Sequence, residues 1–465
     1  MNLKWDMETD VVVVGGGGCG IAAALTAKQE GVEVILLEKG NKLGGNTVLS
    51  TGSIPGANTK YQQRENIEDS PLQMAKDIYA KANNDGDWDL LLHLCEQSKD
   101  LVEWLVEEMK VNIDIITEYK HVGHSQYRLH APKSRKGEDL LKDLMAALDE
   151  HEVIVATNIE CKDLIVDENN EVIGIKTLVN GKEELIKCKK VILASNGFGA
   201  NKEMVKKYCP EISGAPYFGA VGSTGEGIVW GKRLGAELKS MGAYQGYAAV
   251  STLGSIVSWT TVEKGGFLVN TSAQRFCDES KGYSALAGDV QNQEDGVTYV
   301  IFDESIRDSV YRTEDEFKEM CDIGAVKGAN TIEELATLLN LDAQQLVDTF
   351  EEYQRSAVGG NDPFNRSNFG QSPLKAPIYG AKATSGLFHT QGGVNINKNA
   401  QPLRHDGTVI ENLYAGGGVA VGISGVNSSG GYSSGNGLLT AFGWGRIAGK
   451  HAAESILEEK LVRSE

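Results

Sequence analysis

Four consecutive valines, Val11 to Val14, stand between Asp10 and a run of glycines. An unbroken apolar run of this length predicts a parallel strand buried on both faces. Beyond the glycines, Ile21-Ala22-Ala23-Ala24-Leu25 predicts a helix, and Val32 to Leu37 a second strand that ends at Glu38. From about 70 to 110 the spacing of Leu90, Leu91, Leu94, Leu101, Trp104 and Leu105 is helical. Residues 111–135 read as strand and loop, rich in rings, and 137–148 return to helix. Residues 153–194 predict a β-meander, with turns at Asn169-Asn170 and Asn180-Gly181, and Val191 to Ala194 as a further apolar strand. Thr331-Ile332-Glu333-Glu334 opens one helix as a capping box, Asp342 caps a second, and Gly359-Gly360 ends it. A final helix is predicted from about 437 to 459, and no internal repeat is visible.

At 465 residues the chain is too long for one ordinary core, so two or three lobes are expected. Its net charge of -19 argues against nucleic acid and against anionic membrane surfaces as partners. No apolar run reaches transmembrane length. The seven cysteines form no C-x-x-C, so neither a disulfide framework nor a metal ribbon is expected. With no signal-like N-terminus, a reduced, cytoplasmic compartment is expected. No metal-ligand spacing occurs.

Gly15, Gly17 and Gly20 form G-x-G-x-x-G between the first strand and the first helix. That spacing suits a tight turn, close approach of backbone amides to a pyrophosphate, and packing of helix on strand. The helix N-terminus adds unpaired N–H groups and the positive end of a dipole. Glu38, about twenty residues on, is where an acid binds a ribose hydroxyl. The motif alone leaves NAD and FAD both open.

Further motifs resolve that choice by resemblance. They are Gly44-Gly45-Asn46-Thr47; Ala194 to Gly199 with Asn201; Gly222 to Gly227; Phe276-Cys277-Asp278-Glu279; His389-Thr390-Gln391-Gly392-Gly393; and Leu413 to Gly417. Over nearly its whole length the chain resembles the FAD-binding fumarate reductase and 3-ketosteroid dehydrogenase superfamily of flavoproteins. The resemblance implies an α/β plus α+β fold, a Rossmann-type FAD-binding domain with an inserted cap or substrate domain. The FAD-binding domain would be 1–243 and 376–465, and the cap 244–375. Cofactor contacts are implied at Gly15, Gly17, Gly18, Cys19, Gly20, Glu38 and Lys39. Others are implied at Gly44, Gly45, Asn46, Thr47, Thr51 and Gly52. The later ones are Ala194, Asn196, Gly197, Asn201, Gly416, Gly417, Asn436, Gly437 and Leu438. Cys19, inside the phosphate loop, is expected to pack, not to react. The succinate dehydrogenase branch carries covalent flavin on a histidine where this chain has Asn46, so FAD is expected to be non-covalent. The family's glutamate after Leu-Tyr-Ala-x-Gly is here Gly418, so that cofactor contact must come from elsewhere.

Within the superfamily, dicarboxylate reductases use one arginine four residues after Phe-x-x-Glu and another near the C-terminal Gly-Asn. This chain has Tyr283 at the first place and no arginine from Gly425 to Gly437. A buried dicarboxylate would be poorly compensated here. The two tyrosines, Tyr283 and Tyr432, are similar to those of the 3-ketosteroid dehydrogenases. The resemblance implies that Tyr432, with an N–H near Gly435 to Gly437, polarises a ketone, and that Tyr283 transfers the proton. Tyr119 and Tyr127 are candidates for a relay, although rings on a half-buried strand usually just pack. His389 matches a histidine that contacts substrate in the dicarboxylate branch, which keeps that branch alive; the alternative is that it touches the flavin pyrimidine end or O2. The cluster of His124, Arg128 and His130 would do the same if Arg128 faced a substrate. The expected activity is oxidoreduction of a C–C bond α,β to a ketone. The substrate would be a hydrophobic ketone or enone such as a 3-oxosteroid, and an external electron donor or acceptor is needed. The alternatives are an ene-reductase of an unsaturated carboxylate, and a non-catalytic electron-transfer flavoprotein.

Overall fold

The computed structural model describes residues 3–118, 120–251 and 254–464. The valine run lies in strand β1 (Met7–Val14), and Val11 to Val13 are wholly buried. Helix α1 (Gly18–Gln29) follows, buried continuously from Gly18 to Ala27. Strand β2 (Val34–Glu38) pairs parallel with β1, Val11 opposite Val34. Parallel neighbours and a helix on one face give the run its continuous apolar character.

The residues 153–194 differ from a simple meander. Strand β3 (Ile154–Thr157) joins β2 in parallel register. The antiparallel part is β4 (Glu160–Val166), β5 (Val172–Val179) and β6 (Lys182–Leu193). Strand β6 is one strand of twelve residues where two were expected. Its first half returns from a turn at Asn180 and Gly181, both at positive φ (49° and 80°). Its second half enters the parallel sheet between β1 and β7 (Leu413–Ala415). One strand thus serves two sheet environments, and its pattern changes from mixed to fully buried midway. The sheet order is β3-β2-β1-β6-β5-β4, with β7 also on β6.

The C-terminal helix α2 (Asn436–Ser464) lies against α1. Glycines set how close it comes. A Cβ at Gly445 would meet the Cys19 carbonyl oxygen at 2.3 Å, and one at Gly449 the Ala23 oxygen at 2.3 Å. The helical region near 70–110 is two helices, Pro71–Lys81 capped by Ser70 and Trp88–Glu107 capped by Asp87.

These elements belong to one unit of the chain, Met1–Tyr208, Gly219–Tyr244 and His389–Glu465. The other unit is Cys209–Phe218 with Gln245–Phe388. In it, Phe267–Val269 pairs antiparallel with Val297–Asp303, which pairs antiparallel with Ile378 to Thr384. The helical pair is present as Ile332–Leu339 and Ala343–Ala357, capped by Thr331 and Asp342. Its core holds Trp259, Phe267, Phe302, Leu335 and Tyr353. Inside it Arg275 binds Glu279 (2.7 Å) and Asp362 (2.6 Å), and Arg366 approaches Glu279 at 3.3 Å. The Phe-x-x-Glu motif therefore ends in a closed ionic cluster, with Glu279 also accepting the Leu268 N–H at 3.1 Å. No helix of the described residues is long and apolar enough to cross a membrane.

Candidate functional site

The glycine loop between β1 and α1 is shaped by close backbone approach. Gly15 has φ +113°, and a Cβ there would lie 2.4 Å from the Ala194 oxygen. A Cβ at Gly20 would lie 1.8 Å from the Gly15 oxygen. The N-cap of α1 is Gly17, which makes no side-chain cap and leaves first-turn N–H groups facing the loop. Gly18 N–H is taken by Thr47 Oγ1 at 3.0 Å. Glu38 accepts from the amides of Gly16 (2.8 Å) and Gly40 (2.6 Å), so its carboxylate braces the loop from the end of β2. Lys39 donates to Thr224 (3.0 Å) and Glu226 (2.8 Å). Asn46 Oδ1 takes the Ala220 N–H at 2.6 Å. Thr51 meets Ser53 at 3.0 Å, and Gly52 N–H meets Ser50 Oγ at 3.0 Å. Both contacts are internal to the loop after Thr47.

The loop after β6 carries Ala194, Asn196 and Gly197. Ala194 N–H donates to the Val14 oxygen at 2.8 Å. Asn196 sits at φ 68°, a region asparagine tolerates better than most residues. Its Oδ1 accepts from Gly197 N–H (2.8 Å) and from His389 Nε2 (3.0 Å). Asn201 caps the helix Lys202–Tyr208 through Met204 N–H at 3.1 Å and donates to the Thr224 oxygen. Gly416 and Gly417 lie against Cys19, where an added Cβ would meet sulfur at 2.7 Å or Cβ at 3.2 Å. Burial pushes the Cys19 thiol up to about 12, consistent with a packing residue. Gly418 leaves room for the Asn196–His389 contact, since a Cβ there would lie 2.5 Å from Asn196 Oδ1 and 2.9 Å from His389 Nε2.

At the start of α2, Asn436 donates to Ser424 at 3.1 Å, and Gly437 N–H reaches Tyr432 Oη at 3.3 Å. Leu438 is half-buried in the same turn. Tyr432 is buried. His389 is half-buried, its Nδ1 2.8 Å from Gln391 Nε2, and desolvation pushes its pKa down to about 4.

The remaining candidates are placed differently. Tyr283 belongs to the second unit, where it stacks on Tyr247 (4.8 Å between centroids) with Trp259 at its edge. Tyr127 has Lys120 over its ring at 5.5 Å. Tyr119 lies outside the described residues. Arg128 is fully buried and bidentate to Asp69 (2.6 and 2.8 Å), with Asp77 at 2.5 Å. It is an internal brace, which corrects the idea of an anion site there. His124 binds the Ser434 carbonyl (2.8 Å), and His130 binds Thr59 (3.0 Å).

Sequence reasoning passed over Gln391, Ser424 and Glu226. Gln391 was legible in part, because residues i and i+2 at a strand end share a face and His389 is two residues before it. Glu226 follows Lys39's partner Thr224 in G-S-T-G-E-G. Burial draws its carboxyl up, but hydrogen bonds from Lys39 and Thr224 outweigh this and hold it below its ordinary value.

Buried polar atoms without a partner among the described residues include Ser195 Oγ, Glu226 Oε2 and Asn436 Oδ1. Together with an uncapped helix N-terminus and a braced glycine loop, they fit a dinucleotide with phosphates, ribose hydroxyls and ring N–H groups. The family model described as FAD binding domain matches residues 10–434. The chain belongs to this FAD-binding family. FAD is its cofactor. The chain is 32% identical to the NADH:acrylate oxidoreductase of Vibrio harveyi over 98% of its own length and 52% of that protein's. It is 32% identical to the urocanate reductase of Eggerthella lenta, over 96% of this chain and 75% of that one. The chain thus spans about half the length of the first relative and three quarters of the second. Among solved structures it is similar to an open flavocytochrome c3 fumarate reductase (TM-score 0.81, 28% identity, 97% of this chain and 79% of that chain). It is also similar to 3-ketosteroid-Δ4-(5α)-dehydrogenase from Rhodococcus jostii (TM-score 0.77, 25% identity, 97% and 98%). The curated relatives reported are named for acrylate and urocanate, while the solved structures include both a fumarate reductase and a ketosteroid dehydrogenase, so the steroid branch is not specifically favoured.

Proposed function

We propose that this flavoprotein is an oxidoreductase acting on a carbon–carbon bond conjugated to an uncharged carbonyl, with a cyclic enone or 3-oxosteroid as the substrate class. The observation that carries the reading is the pair of groups at the start of α2, where Gly437 N–H lies 3.3 Å from Tyr432 Oη. A carbonyl oxygen approaching this pair meets a phenol O–H and a backbone N–H. In the chain as it stands the Gly437 N–H donates to the phenol oxygen; with substrate bound, both donors would turn to the carbonyl oxygen, where negative charge develops on an enolate, with the positive end of the α2 dipole behind them. Proton transfer is assigned to Tyr283, on its likeness to the tyrosine after Phe-x-x-Glu in the 3-ketosteroid dehydrogenases. FAD, when bound, exchanges a hydride with the substrate. With asparagine at position 46, we take the cofactor to be held without a covalent bond. The electrons come from, or go to, a partner outside this chain.

Three buried arginines also support the reading. Arg128 is closed off by two aspartates, and Arg275 and Arg366 by Glu279 and Asp362. A second reading, reduction of an unsaturated carboxylate, draws support from the relatives named for acrylate, urocanate and fumarate.

The test is a titration of the oxidised holoprotein with a 3-keto-4-ene steroid, followed through the flavin spectrum, in wild type and Tyr432→Phe. Losing the hydroxyl donor should weaken binding by roughly 5–150-fold, about 1–3 kcal/mol. Equal affinity in the two proteins would remove Tyr432 from carbonyl recognition.

A further inference from the structure

Five hydrogen bonds run in line through the first unit, from the N-terminus of α2 to the loop after β6. Asn436 Nδ2 donates to Ser424 Oγ at 3.1 Å. Ser424 Oγ donates to Gln391 Oε1 at 3.1 Å. Gln391 Nε2 lies 2.8 Å from His389 Nδ1, and His389 Nε2 lies 3.0 Å from Asn196 Oδ1. Asn196 Nδ2 donates to Ser223 Oγ at 2.8 Å.

The direction of each bond is fixed by its neighbours. Asn196 Oδ1 also receives the Gly197 N–H at 2.8 Å, so it is the amide oxygen that faces the imidazole. An oxygen there requires a proton on His389 Nε2. A neutral imidazole with Nε2–H leaves Nδ1 as an acceptor. That is what the Gln391 amide nitrogen needs opposite it. At the other end the single Ser424 hydrogen goes to Gln391 Oε1, because Asn436 Nδ2 already donates to Ser424. Turning the Gln391 amide over would set oxygen against Nδ1 and nitrogen against the Ser424 hydrogen, breaking two bonds at once. Gln391 has no slack for this. It is 2% exposed, and a Cβ at Gly422 would lie 2.7 Å from its Oε1. The groups in the chain are amides, hydroxyls and the imidazole, with no charged side chain among them.

We propose that Gln391 is a positioning residue that locks His389 as the neutral Nε2–H tautomer with both nitrogens engaged, and so denies a substrate carboxylate any donor at this histidine. The proposal deepens the uncharged-carbonyl reading and rests on it for its functional half. The resemblance to the dicarboxylate branch would cast His389 as a substrate contact. In this arrangement it has neither a charge nor a spare proton to offer. What it does is orient Asn196, through which the hydrogen-bond chain reaches Ser223.

The test uses the full FAD-loaded chain labelled with 15N-histidine, its His389 signals assigned by loss in His389→Gln. Wild type should show one bare and one protonated ring nitrogen at His389 that do not titrate from about pH 5 to 8. Gln391→Glu keeps the size but puts an oxygen at Nδ1, so both ring nitrogens should carry protons at neutral pH. A merely structural glutamine would leave the tautomer unchanged. Gln391→Leu supplies the second readout. It frees Nδ1 and the ring, and fumarate used as a probe should bind at least about tenfold more tightly by flavin difference spectrum, a gain within the range of one charge-assisted hydrogen bond. A wild-type spectrum with the proton on Nδ1, or one unchanged in Gln391→Glu, would overturn the lock. An unchanged fumarate affinity in Gln391→Leu would overturn the exclusion. Tight fumarate binding by wild type with the predicted tautomer intact would instead sink the enone reading and leave the tautomer assignment standing.

Discussion

Gly418 offers a sharp test of how the loops around His389 are held. Its replacement by alanine adds one methyl group. That carbon would sit 2.5 Å from Asn196 Oδ1, 2.5 Å from Gly197 N and 2.9 Å from His389 Nε2. Contacts this short force movement. Gly197 cannot retreat, because its own Cα face is against Thr390, where a Cβ would meet Oγ1 at 2.1 Å. Asn196 must therefore give way, and its Oδ1 serves both Gly197 N–H and His389 Nε2. Overpacking costs about 1–3 kcal/mol. Each hydrogen bond lost adds about 1 kcal/mol. With both bonds lost the sum is about 3–5 kcal/mol, or roughly a 150- to 4,000-fold loss if it appears in cofactor binding. The assay is FAD dissociation followed by flavin fluorescence, with thermal unfolding of the apoprotein as control. We expect weaker FAD retention, a lower melting temperature, or both. A Gly418→Ala protein with wild-type FAD affinity and wild-type melting temperature would show that the space around Gly418 is not needed, and the close packing of these three loops would be refuted.

Other predictions follow from single contacts. Tyr283→Phe should lose turnover by about 10²- to 10⁴-fold while still retaining FAD, the range expected when a placed general acid or base is removed; full activity in steady-state assays would exclude Tyr283 from proton transfer. Glu38→Ala releases the Gly16 and Gly40 amides and should weaken FAD binding by about 1.5–3 kcal/mol, measured by equilibrium dialysis. Arg128→Met leaves the buried Asp69 carboxylate and the half-buried Asp77 without their cation and should destabilise the protein by about 3–5 kcal/mol in denaturant unfolding. Glu263 is held up to about 7, from an ordinary 4.5, by burial and then by the charge of Glu314. The folded state binds this proton more tightly, so its stabilising contribution is full below about pH 4.5 and is lost as the pH rises through about 7. Glu263→Gln should therefore raise the melting temperature at pH 8 relative to wild type and leave it nearly unchanged at pH 4; equal melting curves at both values would contradict the assignment.

The nucleotide-binding half was legible because its signals are local. Four valines, three spaced glycines and an acid at the end of the next strand lie within 28 residues of one another and need no long-range information. The long strand β6 was not legible as one element, since its two halves face different neighbours and carry different patterns. Arg128 shows the limit for charged residues. Nothing in Tyr127-Arg128-Leu129 reveals that Asp69 and Asp77, 59 and 51 positions away, close around it. Chain proximity made His124, Arg128 and His130 look like one cluster, whereas their partners are Ser434, Asp69 and Thr59. The Gln391 lock depends on six side chains spread from 196 to 436, and only the i, i+2 pair at its centre was visible in the sequence.

The central claim is that the substrate carbonyl is uncharged, and one anaerobic measurement addresses it directly. The holoprotein is reduced with dithionite, and flavin reoxidation is followed optically on addition of a 3-keto-4-ene steroid, fumarate, urocanate or a cinnamate. The account predicts rapid reoxidation by the steroid and none above background by the three carboxylates. Rapid reoxidation by a carboxylate, with the steroid inert, would contradict it and place the chain's chemistry with that of its acrylate, urocanate and fumarate relatives.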